Sequence, residues 1–122
     1  MKWPAACGAL FSLALLLCSG SAANSDAGQD LFARRCSGCH SLDTDKEGPR
    51  LRGVFGRKAG TVADFPYSEA LRKSDIVWDE PSLKRWLEDP QKMAPHNDME
   101  FHVAAESERD AIVAYLKSLG AS

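Results

Sequence analysis

The chain lacks an apolar run long enough to cross a bilayer. The longest, from Ala5 to Cys18, is 14 residues, against the roughly 20 that a spanning helix needs. It also lacks the alternating apolar–polar pattern of a strand, any internal repeat, any low-complexity tract and any linker long enough to separate domains. There is no basic block: 15 Lys+Arg are interspersed with 17 Asp+Glu, for a formal charge of −2. That balance argues against nucleic-acid binding and against adsorption to a membrane by charge alone. Cysteine is scarce, four in 122 residues, and the placement of two of them is the most informative feature of the chain.

The first of the features present is a leader. Lys2 precedes the apolar run, and small residues follow it up to Ser21-Ala22-Ala23. A charged start, a short apolar middle and a small-x-small end describe a secretory signal peptide. The expected division is therefore a signal peptide over residues 1–23, cleaved before Asn24, and one domain over residues 24–122. Export to the periplasm follows, with an uncleaved membrane anchor facing the periplasm as the alternative. A lipid anchor on Cys18 ranks last, because Leu17 stands where a small residue is expected. Cys7 and Cys18 leave with the leader, so the mature chain keeps Cys36 and Cys39. A disulfide between them would close so short a loop that it would constrain the unfolded chain little. The pair reads as chemistry.

The mature chain reads as helices and loops. A helix is expected from about Ala27 to Cys36, with Ser25 or Asp26 as its cap and Leu31, Phe32 and Cys36 near one face. Gly48-Pro49, Gly53, Gly56 and Gly60 then interrupt any long element, as turns wrapped around something would. A short helix capped by Ser68 follows. Asp79 caps a clearer one, with Pro81 in its first turn, Leu83, Trp86 and Leu87 on one face, and Pro90 as its stop. Residues 91–101 have neither periodicity and should be an irregular loop. Ser107 is the expected cap of the last helix, where Ile112, Tyr115, Leu116 and Leu119 recur at helical spacing and Gly120 ends it. Helices this short are marginal alone. A chain of this size with so much loop has little core of its own, so a large apolar ligand at its centre is expected to complete it.

Residues 36–40 read "CSGCH", and three sites use such a pattern. A thioredoxin-like dithiol would need a βαβ unit, for which there are no strands. Structural zinc needs four ligands. Here the other two would have to come from His40, His96 and His102, with His40 directly against Cys39. Covalent haem attachment accounts for each residue: two thiols for the two vinyl groups, small Ser37 and Gly38 under the ring, and His40 beneath the iron. The motif is read as a c-type haem site. The ligand on the other face stays open on this basis, among Met93, His96, Met99 and His102.

Further motifs occur in a familiar order. Gly28 with Phe32, CSGCH, Gly48-Pro49-x-Leu51 with Gly53, "FGRKAG", "FPYSEA", Trp78, "LEDP", "PHNDMEF" and "IVAYLK" together resemble the class I cytochromes c, close to the mitochondrial and related bacterial soluble ones. The match runs from about Gly28 to Leu119. The resemblance implies an all-α cytochrome c fold, with short helices and long loops wrapped around one covalently bound haem c. It implies thioethers from Cys36 and Cys39 and iron ligands His40 and Met99. The Pro49 carbonyl would hold the far nitrogen of His40. Arg57, Tyr67 and Trp78 would surround a haem propionate, and Leu51, Leu87 and Phe101 would pack on the ring. Those three leucine and phenylalanine positions would be buried whatever the cofactor, so the function rests on Cys36, Cys39, His40 and Met99. Gly28 and Phe32 would cross the last helix near Ile112 and Tyr115.

The function implied is that of a periplasmic one-electron carrier, not an enzyme, and a monomer. It would shuttle electrons in a respiratory chain between redox protein partners: an oxidase, a reductase complex or a dehydrogenase. The alternatives are a haem peroxidase or gas sensor with a labile distal ligand, or a membrane-anchored electron-transfer subunit. The chain departs from the family at His96, Asn97 and Asp98, which replace Gly, Thr and Lys before the methionine, and at Trp86, where many relatives have tyrosine. Its loop from Ser41 to Glu47 is shorter than in the mitochondrial proteins. Lys92 matches a lysine that can displace the methionine at high pH.

Overall fold

A computed structural model describes Met1, Lys2, Pro4, Gly8 and residues 20–120. Among the described residues five α-helices follow one another: α1 (Gly20–Leu31), α2 (Glu69–Arg72), α3 (Glu80–Glu88), α4 (Pro90–Met93) and α5 (Glu106–Ser118). Among the described residues no strand of a sheet is assigned. A single antiparallel bridge joins Lys58 and Val77, flanked by Trp78 N–H to Arg57 O at 2.9 Å and Ala59 N–H to Ile76 O at 2.8 Å. Most of the expected leader lies outside the described residues. Its last four positions form the first turn of α1, so the expected cleavage point before Asn24 falls inside that helix.

The first helix begins and ends differently from its expected form: it starts at Gly20, so Ser25 and Asp26 lie inside it and neither caps it. Instead of running as an α-helix to Cys36, it opens at Phe32 into a π-turn through Cys36. Ser37 N–H reaches back five residues to Phe32 O at 3.0 Å, and the wider turn carries one extra residue. The Cys36 carbonyl then accepts from both Cys39 N–H at 3.2 Å and His40 N–H at 2.9 Å. Those bonds fold CSGCH into a tight corner.

The two terminal helices form the frame. Gly28 of α1 lies directly on α5: a Cβ there would strike the Ala111 carbonyl oxygen and come within 2.7 Å of Tyr115 Cβ. Only hydrogen fits, which lets the backbones approach closely. Phe32 and Tyr115 continue the crossing with ring centroids 5.7 Å apart, and Ile112 beside them is 1% exposed. The pair of Arg35 and Glu108 closes the far end.

Capping residues account for most of the remaining boundaries. Ser68 Oγ accepts Leu71 N–H at 3.2 Å and starts α2. Asp79 and Ser82 form a reciprocal capping box on α3, each backbone N–H meeting the other's side chain at 2.9 Å. Two further readings of the sequence need correction. Residues 90–93 are helical rather than irregular, because Asp89 caps them, accepting Lys92 N–H at 3.2 Å, and Pro90 occupies the first position. Ser107 does not cap α5. The helix begins two residues earlier than that cap would place it, after Ala105, which offers no side-chain cap. Its entry is braced by the Arg109 guanidinium, which donates to Val103 O at 2.7 Å and Ala104 O at 2.8 Å. Glu106 and Glu108 supply the negative charge that the helix start favours.

Candidate haem site

The long loops and α3 enclose a cavity of about 340 Å³ beneath the α1–α5 frame. All eleven residues expected at the site line it.

On one wall His40 is anchored by its Nδ1, 2.9 Å from Pro49 O. A carbonyl there can only accept, so Nδ1 carries the hydrogen and Nε2 keeps a free lone pair. Burial pushes the imidazole below its ordinary value. The ring is therefore held neutral, the form that binds a metal. Gly48 makes room for it, since a Cβ at that position would lie 2.6 Å from His40 Nδ1.

Cys36 is half-buried and Cys39 exposed, and both are free thiols. Burial raises the Cys36 thiol. Cys39 is raised chiefly by its hydrogen bond to Glu47 Oε2 at 3.4 Å. Reactive dithiols show the opposite shift, which counts against the redox alternative. The zinc alternative fails too: among the described residues no three His, Cys, Asp or Glu side chains cluster as a metal site.

Of the four distal candidates, Met99 alone lines the cavity. His96 and His102 are exposed, and Met93 packs against the core elsewhere. Trp86 Nε1–H donates to Met99 Sδ at 3.1 Å, so the tryptophan that departs from the family aims the sulfur. Trp86 is in turn set by Trp78, edge to face at 5.2 Å. The left-handed residue of this loop is His96, at φ 67°, in the place of the family's glycine. Asn97 instead is buried and hydrogen-bonded.

One side of the lining is polar. The half-buried Arg57 donates through Nη2 to Arg50 O at 3.0 Å. Among the described residues it has no ion-pair partner, and burial lowers its affinity for the proton. Tyr67 is raised by burial, and its hydroxyl oxygen accepts Val62 N–H at 3.0 Å, leaving the O–H free to donate. Trp78 is buried beside them. A half-buried cation with spare donors around it suits an anionic group in the cavity. Leu87 is buried and Leu51 and Phe101 are half-buried, with Arg35 lying over the Phe101 ring at 5.5 Å.

A neutral imidazole, a thioether sulfur, two thiols, an apolar wall and a cationic corner fit haem c. The sequence reading missed Gln91, whose amide holds the methionine loop. A lone glutamine in a polar segment carries no periodicity or spacing that could have marked it.

Comparison with known proteins agrees. The family model described as "Cytochrome c" matches residues 25–120. The chain is 46% identical to cytochrome c2 iso-2 of Magnetospirillum fulvum over 87 residues, covering 69% of this chain and 91% of that one. It is 39% identical to cytochrome c2 of Rhodoblastus acidophilus over 104 residues, covering 82% and 96%. The solved structure of cytochrome cH from Methylobacterium extorquens superposes with a TM-score of 0.73 at 43% identity, covering 77% of this chain and 97% of that one. The chain belongs to the class I cytochromes c, with the all-α fold of that family and one haem c attached covalently through its Cys-x-x-Cys-His motif.

Proposed function

We propose that residues 24–122, freed of a signal peptide, form a periplasmic one-electron carrier whose iron is held between His40 Nε2 and Met99 Sδ. The single observation that carries this reading is the pairing of walls: His40 with its lone pair free, and Met99 alone among the distal candidates lining the same cavity. When bound, haem c supplies a one-electron couple between ferric and ferrous iron. Cys36 and Cys39 would hold it by thioethers. Pro49 O fixes the His40 ring and strengthens its donation. Arg57, Tyr67 and Trp78 would neutralise a buried propionate, while Leu87 and Phe101 keep water from the ring.

With His40 and Met99 both holding the iron, no site would remain for oxygen or peroxide. An iron held by the anchored His40 imidazole and the soft Met99 thioether would suit electron transfer rather than catalysis. Among the described residues no helix is long and apolar enough to cross a membrane. The acidic balance of the chain suits redox partners that do not depend on a lysine-rich docking face. Asp98 and Glu100, exposed beside Met99, point the same way.

The test is the ferric optical spectrum of the purified exported protein beside Met99→Ala. A weak far-red methionine–iron band, present in the wild type and absent in the variant, is the expected result. A wild type without that band that readily binds peroxide or carbon monoxide would overturn the carrier reading in favour of an enzyme or sensor. Mass spectrometry of the mature N-terminus separates a cleaved leader, starting at Asn24, from a retained anchor.

A further inference from the structure

The segment that carries Met99 has little regular structure to hold it, yet backbone groups at His96, Asn97 and Met99 are satisfied by side chains. Two side-chain amides do this. Gln91, on α4, donates from Nε2 to Asn97 O at 2.9 Å and to Met99 O at 3.3 Å, while its Oε1 accepts His96 N–H at 3.0 Å. Asn97, only 6% exposed, donates from Nδ2 to Pro90 O at 2.9 Å and Ala94 O at 2.8 Å. Its Oδ1 accepts Met99 N–H at 2.7 Å. Both polar groups of the Met99 backbone are therefore held by side chains, the N–H by Asn97 and the carbonyl by Gln91. Trp86 holds the sulfur.

Side-chain bonds of this kind replace a backbone ladder. Breaking one leaves partners that nothing nearby can satisfy except entering water. The two amides also tie the loop to α4, whose start is fixed by Asp89 and Pro90. Moving Met99 away from the cavity would pull against that whole set at once, including the left-handed His96. None of these bonds crosses the α1–α5 frame. The loop can consequently open without global unfolding, and its opening is governed locally.

We propose that Gln91 and Asn97 are positioning residues that clamp Met99 and set how readily the methionine side of the cavity opens to a small external ligand. This rests on the reading of Met99 as the distal ligand. Imidazole is the probe, because its binding to the ferric protein requires Met99 to leave, so its affinity measures that departure. Gln91→Glu keeps the shape of the side chain and the acceptor for His96 N–H. It replaces the two donated hydrogens with a carboxylate oxygen facing two carbonyls. Imidazole affinity should rise about tenfold, the equivalent of about 1.4 kcal/mol, with the far-red band still present before titration. Ala111→Gly is the control, because it weakens a buried position on α5 and does not line the cavity. It should lower the urea midpoint and leave imidazole affinity unchanged.

An affinity for Gln91→Glu within twofold of the wild type would overturn the clamp. So would an affinity that rises equally in Ala111→Gly, since that would mark general instability. If Gln91→Glu yields no holoprotein, Gln91→Met, which keeps the volume and removes all three bonds, gives the same comparison. A wild type with no methionine–iron band would instead sink the ligand assignment on which the clamp depends, and it is read before any variant is titrated.

Discussion

Trp86→Phe is the sharpest perturbation of electron transfer that the structure offers. It removes one N–H, the donor 3.1 Å from Met99 Sδ, while keeping an aromatic ring against Trp78. A hydrogen bond to sulfur withdraws electron density from the lone pairs that, on the proposed ligation, would face the iron. Ferric iron needs that density more than ferrous iron does, so the bond favours the reduced state. Its loss should lower the reduction potential. A net hydrogen bond is worth about 0.5–1.5 kcal/mol, and only the difference between the two oxidation states counts. Taking about 0.5–1 kcal/mol for that difference, and about 59 mV per tenfold change for one electron, the potential should fall by roughly 20–45 mV. Spectroelectrochemical titration of wild type and variant, with the far-red band followed in parallel, measures it. A potential unchanged within about 10 mV while the band persists would refute the reasoning, as would a rise.

Other expectations follow from particular contacts. Gly28→Ala should lose roughly 1–3 kcal/mol of stability or more by urea unfolding, because its Cβ has no space against Ala111 and Tyr115. A loss below about 0.5 kcal/mol would mean that the helix crossing is looser than described. Asp79 is held below the usual carboxylate value by the Ser82 backbone N–H and then the Ser82 hydroxyl. Its contribution is therefore present above the unfolded value near 3.8 and is lost as pH falls through the lower folded value. Asp79→Asn should flatten that acid limb when urea midpoints are compared between about pH 5 and pH 3. Lys92, exposed on α4, should supply the ligand that replaces Met99 at high pH, so Lys92→Ala should shift or abolish the alkaline loss of the far-red band. Turnover with a redox partner should fall less steeply with salt than that of a basic cytochrome, because the chain is net acidic; a steep fall would count against the partner argument.

The features legible in the sequence are those with a local mechanism. Capping chemistry places α2 and α3, the Gly120 stop places the end of α5 at a positive φ of 83°, and the spacing of CSGCH declares its cofactor. Family resemblance selects Met99 from four candidates that periodicity does not separate. The misleading signals are also local. Ser107 looks like a cap but lies inside a helix whose entry is braced by Arg109 from within the first turn. The run after Pro90 reads as loop because four residues carry too little pattern to reveal a helix.

The sequence by itself determined the class and the cofactor, because two thiols and a histidine within five residues act through neighbouring atoms. Only the tertiary structure decided how the segment carrying Met99 is held. Gln91 and Asn97 meet the Met99 backbone, and Trp86, from 13 residues away in the chain, meets its sulfur. Such bonds depend on how α3, α4 and the loop are folded back on one another, and hydrogen bonds formed across a fold leave no period or spacing in the chain that makes them.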